Sequence, residues 1–499
     1  MNFYSKNSSF PQNKGKYKMK YRGPVGNTTK LIVLTTIFSI SHFYTFGQKL
    51  SNEVSTYVAT QDSIVAIKNV TVIDGTGGIV TYNQDILLRN TKIAAIGKTG
   101  NITFPKNTKI IDGTGKTVIP GLIMLHEHLF YGKPFDGHYK GAHMTNTFPK
   151  LYLAGGVTTM RTAGSIEANA DLNVKNLIDQ GQMVGPTMDV STPHVERLGF
   201  IPQLQSLYGD ESIENWLNYW FDKGITSVKV YNNITKEDLS KIIKISHARN
   251  KKVTGHLCSI TYREAAELGI DNLEHSFMAS NDFVSNKKEN ECVYGEPSLV
   301  NLDDNDPKLI ALMQFLIDKN VTLTYTPTVF EPFTNREVII GGGSVALAPY
   351  LLKQMQTFYN QQIDTERDAQ SLISFKKEMK RVLKFHAMGG KVTVGTDPTG
   401  SGKTIAGYAN QRLIELLIET GFSIEEAIKL ATLNGAEYLE IETNTGTIEV
   451  GKDADLVLLN GDLSKDVSNI RDMEIIFKKG VGFDSKKIFD SVKGKVGLY

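Results

Sequence analysis

The sequence contains very little cysteine. Among its 499 residues it has only Cys258 and Cys292, which excludes a disulfide framework and a zinc site built from four thiolates. We therefore expect Cys258 to be a small packing residue. The chemistry must come instead from the 10 histidines, the carboxylates, the lysines and the hydroxyl groups.

The sequence also lacks an excess of either charge. Its 55 Lys and Arg residues are balanced by 53 Asp and Glu residues, which gives a formal net charge of +2. Without a basic excess to neutralise phosphates, a general nucleic-acid binder is not expected. Hydrophobic residues make up 40% and charged residues 22%, which is typical of a folded chain and excludes wholesale disorder.

No hydrophobic run reaches the roughly 20 residues needed to cross a bilayer as a helix. The longest leader-like feature is a basic stretch, residues 1–30, followed by an apolar run over residues 31–40. This pattern is typical of a secretory signal, and the small residues Thr45 and Gly47 fit a cleavage site after Gly47. We expect a secreted or periplasmic protein with no stable membrane insertion after processing. An uncleaved anchor and a disordered leader are the alternatives.

Short strand-like runs separated by turn residues occupy residues 62–120 and return after residue 435. Between them, strand-like runs alternate with helical patterns, which is typical of a parallel sheet built from βαβ units. The length of this centre suits seven or eight such units. We predict an α/β fold: a (β/α)8 TIM barrel with a small β-sandwich domain formed by both flanks. The predicted boundaries are a signal peptide over 1–47, sandwich segments over 48–120 and 434–499, and the barrel over 121–433.

The sharpest motif is the pair His126 and His128 at the end of an apolar run. Because side chains alternate along a strand, the two imidazoles point to one side and Glu127 points to the other. Two imidazoles at the carboxyl end of a barrel strand are suited to bind a metal ion.

Four more polar residues lie in or directly after separate predicted strands: Lys229, His256, His275 and Asp397. Taken singly, each histidine is compatible with a hydrogen-bonded core residue, and Asp397 with a helix cap. Taken together, they are expected to meet, because the carboxyl ends of barrel strands converge on one mouth.

Lys229 stands within an otherwise apolar strand, where its charge is unfavourable unless it is paired or neutralised. A buried salt bridge is one solution. Carbamylation by carbon dioxide is another, because it converts the amine into an anionic group with two oxygen ligands.

These residues resemble the metal-dependent amidohydrolase superfamily. The resemblance extends to the stretches 116–122, 431–436 and 446–457, and so covers nearly all of the chain after the leader. Within this superfamily, the chain resembles the imidazolonepropionase-related branch, which includes Xaa-Pro dipeptidases and an ochratoxin-cleaving amidase. One departure is Thr162, because the peptidase-like relatives usually have Asp after the preceding arginine.

The resemblance implies a site with two divalent metal ions, for which zinc is the default. One ion would be held by His126, His128 and Asp397, and the other by His256 and His275. Carbamylated Lys229 would bridge them together with a hydroxide.

The implied reaction is hydrolysis of a C–N amide bond in a dipeptide or an N-acyl amino acid. The hydroxide would attack, and Asp397 would be the catalytic proton shuttle. Tyr231 and His194 are expected to contact the substrate, although a packing role is the alternative for Tyr231. A mononuclear cyclic amidase or deaminase, such as an imidazolonepropionase-like enzyme, is the alternative function. We expect a small amide or peptide as the binding partner, and a homo-oligomer is compatible with the sequence.

Overall fold

The computed structural model describes residues 49–135, 138–197, 204–208, 212–334, 343–361, 365–399 and 404–498. The predicted signal peptide lies outside the described residues. Within those residues, every helix is too short or too polar to cross a membrane.

Eight parallel strands form the centre of the molecule. They are β7 (Leu122–Glu127), β10 (Val157–Thr162), β11 (Thr187–Asp189), β12 (Ser227–Val230), β13 (Lys252–Gly255), β14 (Asn272–Glu274), β15 (Thr322–Tyr325) and β16 (Val392–Val394). The first three strands form one parallel sheet and the other five form a second. In both sheets each strand pairs with the strand that comes before or after it in this list.

Backbone hydrogen bonds join the two parallel sheets on both sides. On one side, the amide of Val195 donates to the carbonyl of Lys229 at 2.8 Å. On the other, the amides of Thr396 and Asp397 donate to the carbonyl of His126 at 3.1 and 2.9 Å. The eight strands therefore follow one another in the order of the predicted barrel.

Helices connect the strands and surround them. The described helices are α1 (Asn52–Ser55), α2 (Thr147–Ala154), α3 (Ala168–Asp179), α4 (Ile213–Asp222), α5 (Lys236–Ala248), α6 (Tyr262–Leu268), α7 (Glu296–Val300), α8 (Pro307–Asp318), α9 (Pro327–Phe330), α10 (Pro349–Gln361), α11 (Thr365–Ala387), α12 (Tyr408–Thr420), α13 (Ile424–Leu430), α14 (Leu433–Leu439) and α15 (Ser485–Val492).

Helix α5 illustrates why these segments are helical. Thr235 directly precedes this helix, and its side chain accepts a hydrogen bond from the amide of Asp238. Thr235 is therefore a typical N-cap. Leu239, Ile242 and Ile243 are buried, and their spacing of three and four residues places them on one helix face. That face packs into the main hydrophobic core.

Both flanks of the chain contribute to one β unit, whose strands are β1 (Val58–Thr60), β2 (Ile64–Val72), β3 (Thr81–Arg89), β4 (Lys92–Lys98), β5 (Lys109–Asp112), β6 (Thr117–Pro120), β17 (Leu456–Leu459), β18 (Met473–Lys478) and β19 (Val481–Asp484). These strands form one nine-stranded sheet, not the two separate sheets of the predicted sandwich. The reason is that β2 is nine residues long and pairs with β3 on one edge and with both β5 and β6 on the other.

Alternate residues of this sheet enter two different cores. Leu456 and Leu458 belong to a cluster made by the flanking strands, whereas Val457 and Leu459 belong to the main core around the parallel strands. Because side chains alternate along a strand, one face of the sheet fills its own core and the other face packs on the β/α part.

A hairpin of β8 (Phe130–Phe135) and β9 (His138–His143) follows the first parallel strand.

The expectation that Cys258 is only a packing residue is wrong, because it forms a disulfide with Cys292. The two residues are 34 positions apart in the sequence. Asn281 donates a side-chain hydrogen bond to the carbonyl of Cys258, and the amide of Val293 donates to the same carbonyl at 3.4 Å. The pairing requires the loop to return to the end of β13, a contact between distant positions that no local sequence pattern encodes.

Candidate metal centre

The ends of five parallel strands bring the sequence-predicted residues to one cavity of about 240 Å³. His126 lies on β7 and Lys229 on β12, whereas the other ligand candidates lie just beyond β7, β13, β14 and β16. The lining includes all six predicted metal ligands: His126, His128, Lys229, His256, His275 and Asp397.

Three imidazoles face the Asp397 carboxylate. The Nε2 atom of His128 is 3.3 Å from Oδ1 of Asp397, and the Nε2 atoms of His126 and His275 are 3.8 and 3.9 Å from Oδ2. The ring of His256 lies beside that of His275, with 4.5 Å between the ring centroids. The predicted ligands therefore form one continuous cluster.

The Nδ1 atoms of the three imidazoles that face Asp397 each lie within hydrogen-bonding distance of another group. Nδ1 of His126 is 2.7 Å from a Glu274 carboxylate oxygen. Nδ1 of His128 is 2.9 Å from the carbonyl of Gly164, and Nδ1 of His275 is 2.7 Å from the hydroxyl of Thr326. Such partners fix a ring and leave its other nitrogen for a metal ion.

Burial disfavours the charged form of three of the histidines. Burial lowers the pKa of His126, lowers the pKa of His275 further, and with the nearby Lys229 ammonium lowers the pKa of His256 to about 3. The rings are therefore neutral near neutral pH, which is the form that binds metal. Burial opposes ionisation of Asp397, but the facing histidines outweigh it and hold its pKa well below the usual range.

Two of these residues have an unusual backbone conformation. His275 has φ 64° and Asp397 has φ 49°, and Ser276 follows with φ 50°. Among residues other than glycine, Asn, Asp and His enter this left-handed region most often, but it is still uncommon and costs about 1–3 kcal/mol each time. The sharp turns occur where β14 and β16 end, and both residues line the cavity.

Glu274 is the functional candidate that the sequence reasoning missed. It is fully buried, and its Oε1 atom accepts a hydrogen bond from Arg161 at 2.7 Å and another from Thr254. The same atom is 3.8 Å from Nζ of Lys229, and its other oxygen holds His126. The available signal was an acidic residue in a short strand directly before His275.

Lys229 is buried beside Glu274, as the salt-bridge alternative requires. Burial is the largest influence on this lysine and lowers its pKa to about 8, although the Glu274 and Asp397 carboxylates oppose the shift. A measurable share of neutral amine is therefore present near pH 7 to 8.

The two predicted substrate-contacting residues also line the cavity. The rings of His194 and Tyr231 are 4.9 Å apart, and that of Tyr231 is 5.1 Å from the ring of His256. Burial lowers the pKa of His194 well below its usual value and raises the pKa of Tyr231. Both side chains are therefore uncharged hydrogen-bonding groups.

Glu127 and Thr162 make contacts outside this ligand cluster. Glu127 accepts hydrogen bonds from the Thr396 amide at 3.1 Å and from Asn410 at 3.0 Å, as the predicted strand alternation requires. The hydroxyl of Thr162 lies 3.2 Å from that of Ser191. The departure at Thr162 therefore affects a contact between neighbouring strands.

The donor set fits a divalent metal ion. One ligand atom each from His126, His128 and Asp397 lies within 4.8 Å of the others, and neutral imidazole with carboxylate suits zinc and similar ions.

The model of the amidohydrolase family matches residues 117–489 of this chain. Among curated proteins, the imidazolonepropionase of Alkaliphilus metalliredigens (strain QYMF) is 23% identical over 411 residues, which is 75% of this chain and 83% of that protein. The chain belongs to the amidohydrolase family, and its relatives in that family are hydrolases.

Solved structures share the fold at low sequence identity. A Xaa-Pro dipeptidase with methionine bound in its active site has a TM-score of 0.62 and 18% identity, over 85% of this chain and 100% of that one. The ochratoxinase of A. niger has a TM-score of 0.60 and 17% identity, over 85% and 96%.

Proposed function

We propose that this member of the amidohydrolase family hydrolyses a C–N amide bond in a small substrate, of the dipeptide or N-acyl amino acid type. The observation that carries the proposal is the cluster of three imidazoles around Asp397, with Lys229 and Tyr231 at the same cavity. We also propose that the eight parallel strands close as a (β/α)8 barrel over residues 121–433.

His126, His128 and Asp397 would hold one divalent ion, and His256 and His275 a second. Lys229, as a carbamate formed from carbon dioxide, would bridge the pair. When bound, the ions would polarise the substrate carbonyl and lower the pKa of water. Zinc is the default ion for these nitrogen and oxygen donors.

The remaining steps belong to the side chains. Asp397 accepts the proton of the attacking water and delivers it to the leaving nitrogen, which converts a poor amide leaving group into an amine. The Tyr231 hydroxyl donates a hydrogen bond to the oxygen on which negative charge develops. His194 contacts the substrate from the neighbouring strand end.

A mononuclear cyclic amidase or deaminase is the second candidate, and the imidazolonepropionase relative favours it. The position of Lys229 favours the binuclear reading, because its amine lies within the same cavity as the histidines. Metal stoichiometry separates the two: about two ions per chain for the first and about one for the second.

Purified protein loaded with zinc should hydrolyse at least one member of a dipeptide and N-acyl amino acid library, and chelation should abolish the activity. Elemental analysis of the active protein should find two bound ions per chain. A fully loaded protein that hydrolyses no amide would contradict the proposal, and one that deaminates or opens a cyclic amide with a single ion would establish the alternative.

We propose that the protein is exported. The Cys258–Cys292 disulfide supports this location, because disulfides persist mainly in oxidising compartments. Mass spectrometry of the exported protein should find a mature N-terminus at Gln48.

A further inference from the structure

The cavity that holds the predicted ligands is also lined by apolar residues, which we call the apolar wall. They are Phe130, Leu204, Val329 and Phe330, together with Ala163. Phe130 and Leu204 are buried even though they border a cavity, with exposed fractions of 8% and 6%. Covering an apolar surface of this kind with an apolar group is favourable, because it removes that surface from water.

Two phenyl rings flank the ligand cluster. The Phe130 ring is 4.6 Å from that of His128, and the Phe330 ring is 5.6 Å from that of His275. His128 and His275 both face Asp397, so the two phenyl rings border the place where a scissile bond would lie.

Both phenyl rings are held by the fold. Phe130 begins the β8–β9 hairpin, and Gly132 in the same hairpin donates a backbone hydrogen bond to Thr399 at 2.9 Å. Phe330 ends α9, directly after β15, and packs against a buried cluster that includes Phe375 and Leu416. These contacts join Phe330 and the segment that carries Phe130 to the rest of the fold.

Charged partners for a substrate are scarce in this lining. Among its described residues, the Lys and Asp side chains are Lys229 and Asp397, both assigned to the metal site. A charged substrate group placed against the wall would lose its hydration without gaining a further counter-ion from the described part of the lining. The cavity volume of about 240 Å³ lies below the usual range for drug-sized ligands, so it also limits the size of the substrate group.

We propose that Phe130, Leu204, Val329 and Phe330 form an apolar slot that selects amides carrying a small, uncharged apolar or aromatic group on one side of the scissile bond. This inference rests on the proposed amide hydrolysis and narrows it. Of the dipeptides and N-acyl amino acids, those with an apolar side chain or acyl group in the slot are the substrates.

Four benzanilides test the slot on the metal-loaded protein. In two, the benzoyl ring carries a para-methyl or a para-carboxylate group, and in the other two the same groups are on the anilide ring. On one side of the bond at least, the methyl compound should have a kcat/KM about 100-fold higher, because an unpaired charge loses its hydration there. Equal values for methyl and carboxylate on both sides would overturn the proposal.

Two variants, Phe330→Ser and Phe330→Leu, show whether the apolar wall causes the preference for the methyl compounds over the carboxylates. Serine should lower kcat/KM for the preferred methyl compound by about 10- to 100-fold and reduce the preference over carboxylate, whereas leucine should retain most of both. Phe333→Ser is the matched control, because Phe333 is 43% exposed and outside the cavity lining. Bound metal should stay unchanged in all three variants. An unchanged preference in Phe330→Ser would refute the role of this wall.

If none of the four compounds is hydrolysed, their binding is measured by calorimetry. Tighter binding of the methyl compounds to the wild type, weakened in Phe330→Ser, would uphold the slot even if the proposed hydrolysis failed. Equal or stronger binding of the carboxylates in both proteins would overturn the slot.

Discussion

The two ends of the parallel strands enclose cavities of similar size and different character. The cavity at the carboxyl ends has a volume of about 240 Å³ and that at the amino ends about 260 Å³. At the amino ends, Lys252 forms an ion pair with Glu440 at 2.8 Å, and the Glu440 side chain is 77% exposed. At the carboxyl ends, the predicted ligands are held by buried partners.

The difference lies in solvation. Charges at the amino ends keep water and neighbouring counter-ions, so their pairing adds little stability. The groups at the carboxyl ends have lost water and depend on fixed neighbours such as Glu274. In barrels of parallel strands, the catalytic groups lie at the carboxyl ends of the strands. The following predictions test that division, from the largest expected effect to the smallest.

Lys229→Ala should lower kcat by at least about 1000-fold and reduce bound metal from about two ions to one or fewer, because the proposed bridging group is lost. Elemental analysis and amide hydrolysis measure both effects. Lys252→Ala at the opposite end is the matched control and should leave both values unchanged. Full activity and metal content in Lys229→Ala would refute the bridging role.

Glu274→Gln should weaken metal binding by about 10- to 100-fold, because a partner that orients His126, a proposed metal ligand, is impaired. It should also destabilise the fold by about 3 kcal/mol or more, since Arg161 loses a buried counter-ion. Competition with a chelator and urea unfolding are the measurements. Glu440→Gln is the exposed control, for which a change below about 1 kcal/mol is expected. Equal effects of the two substitutions would contradict the division between the two ends.

The paired replacement of Cys258 and Cys292 by serine should lower the free energy of unfolding by about 2–4 kcal/mol, because the unfolded chain regains the freedom of a long loop. Urea unfolding of the variant and of the wild type should then give the same result under reducing conditions. A variant as stable as the oxidised wild type would show that the disulfide contributes nothing.

The metal-free protein should lose stability as the pH falls. The pKa of His256 in the folded protein, about 3, lies below the usual histidine value of 6.5, so the unfolded state binds more protons between these two pH values. The stabilising effect is complete above pH 6.5 and is lost progressively toward pH 3. Between pH 6.5 and 5 the loss attributable to this residue is about 1–2 kcal/mol.

Urea unfolding of the metal-free wild type and His256→Asn across this range isolates the effect. The variant should show a shallower dependence on pH. The surface replacement His247→Asn is the matched control, because the side chain of His247 is 43% exposed. Identical pH profiles for the wild type and His256→Asn would contradict the buried, neutral state of this histidine.

Much of the candidate site could be read from the sequence, because its members occupy regular positions. His126 and His128 alternate along one strand, and His256 and His275 each follow a strand directly. Strand periodicity is local, so short stretches of sequence contain it. The same reasoning passed over Glu274, because its importance depends on Arg161 and His126 from two other strands.

The sequence by itself determined the β/α alternation, the two β flanks and the polar residues at the strand ends, because each rests on hydrophobic period and turn chemistry within a few residues. Only the tertiary structure decided that one long strand, β2, pairs with three partners, that Cys258 meets Cys292, and that Phe130 and Phe330 border the same cavity. These contacts join positions far apart in the chain, and their free energy depends on the packing of the whole fold.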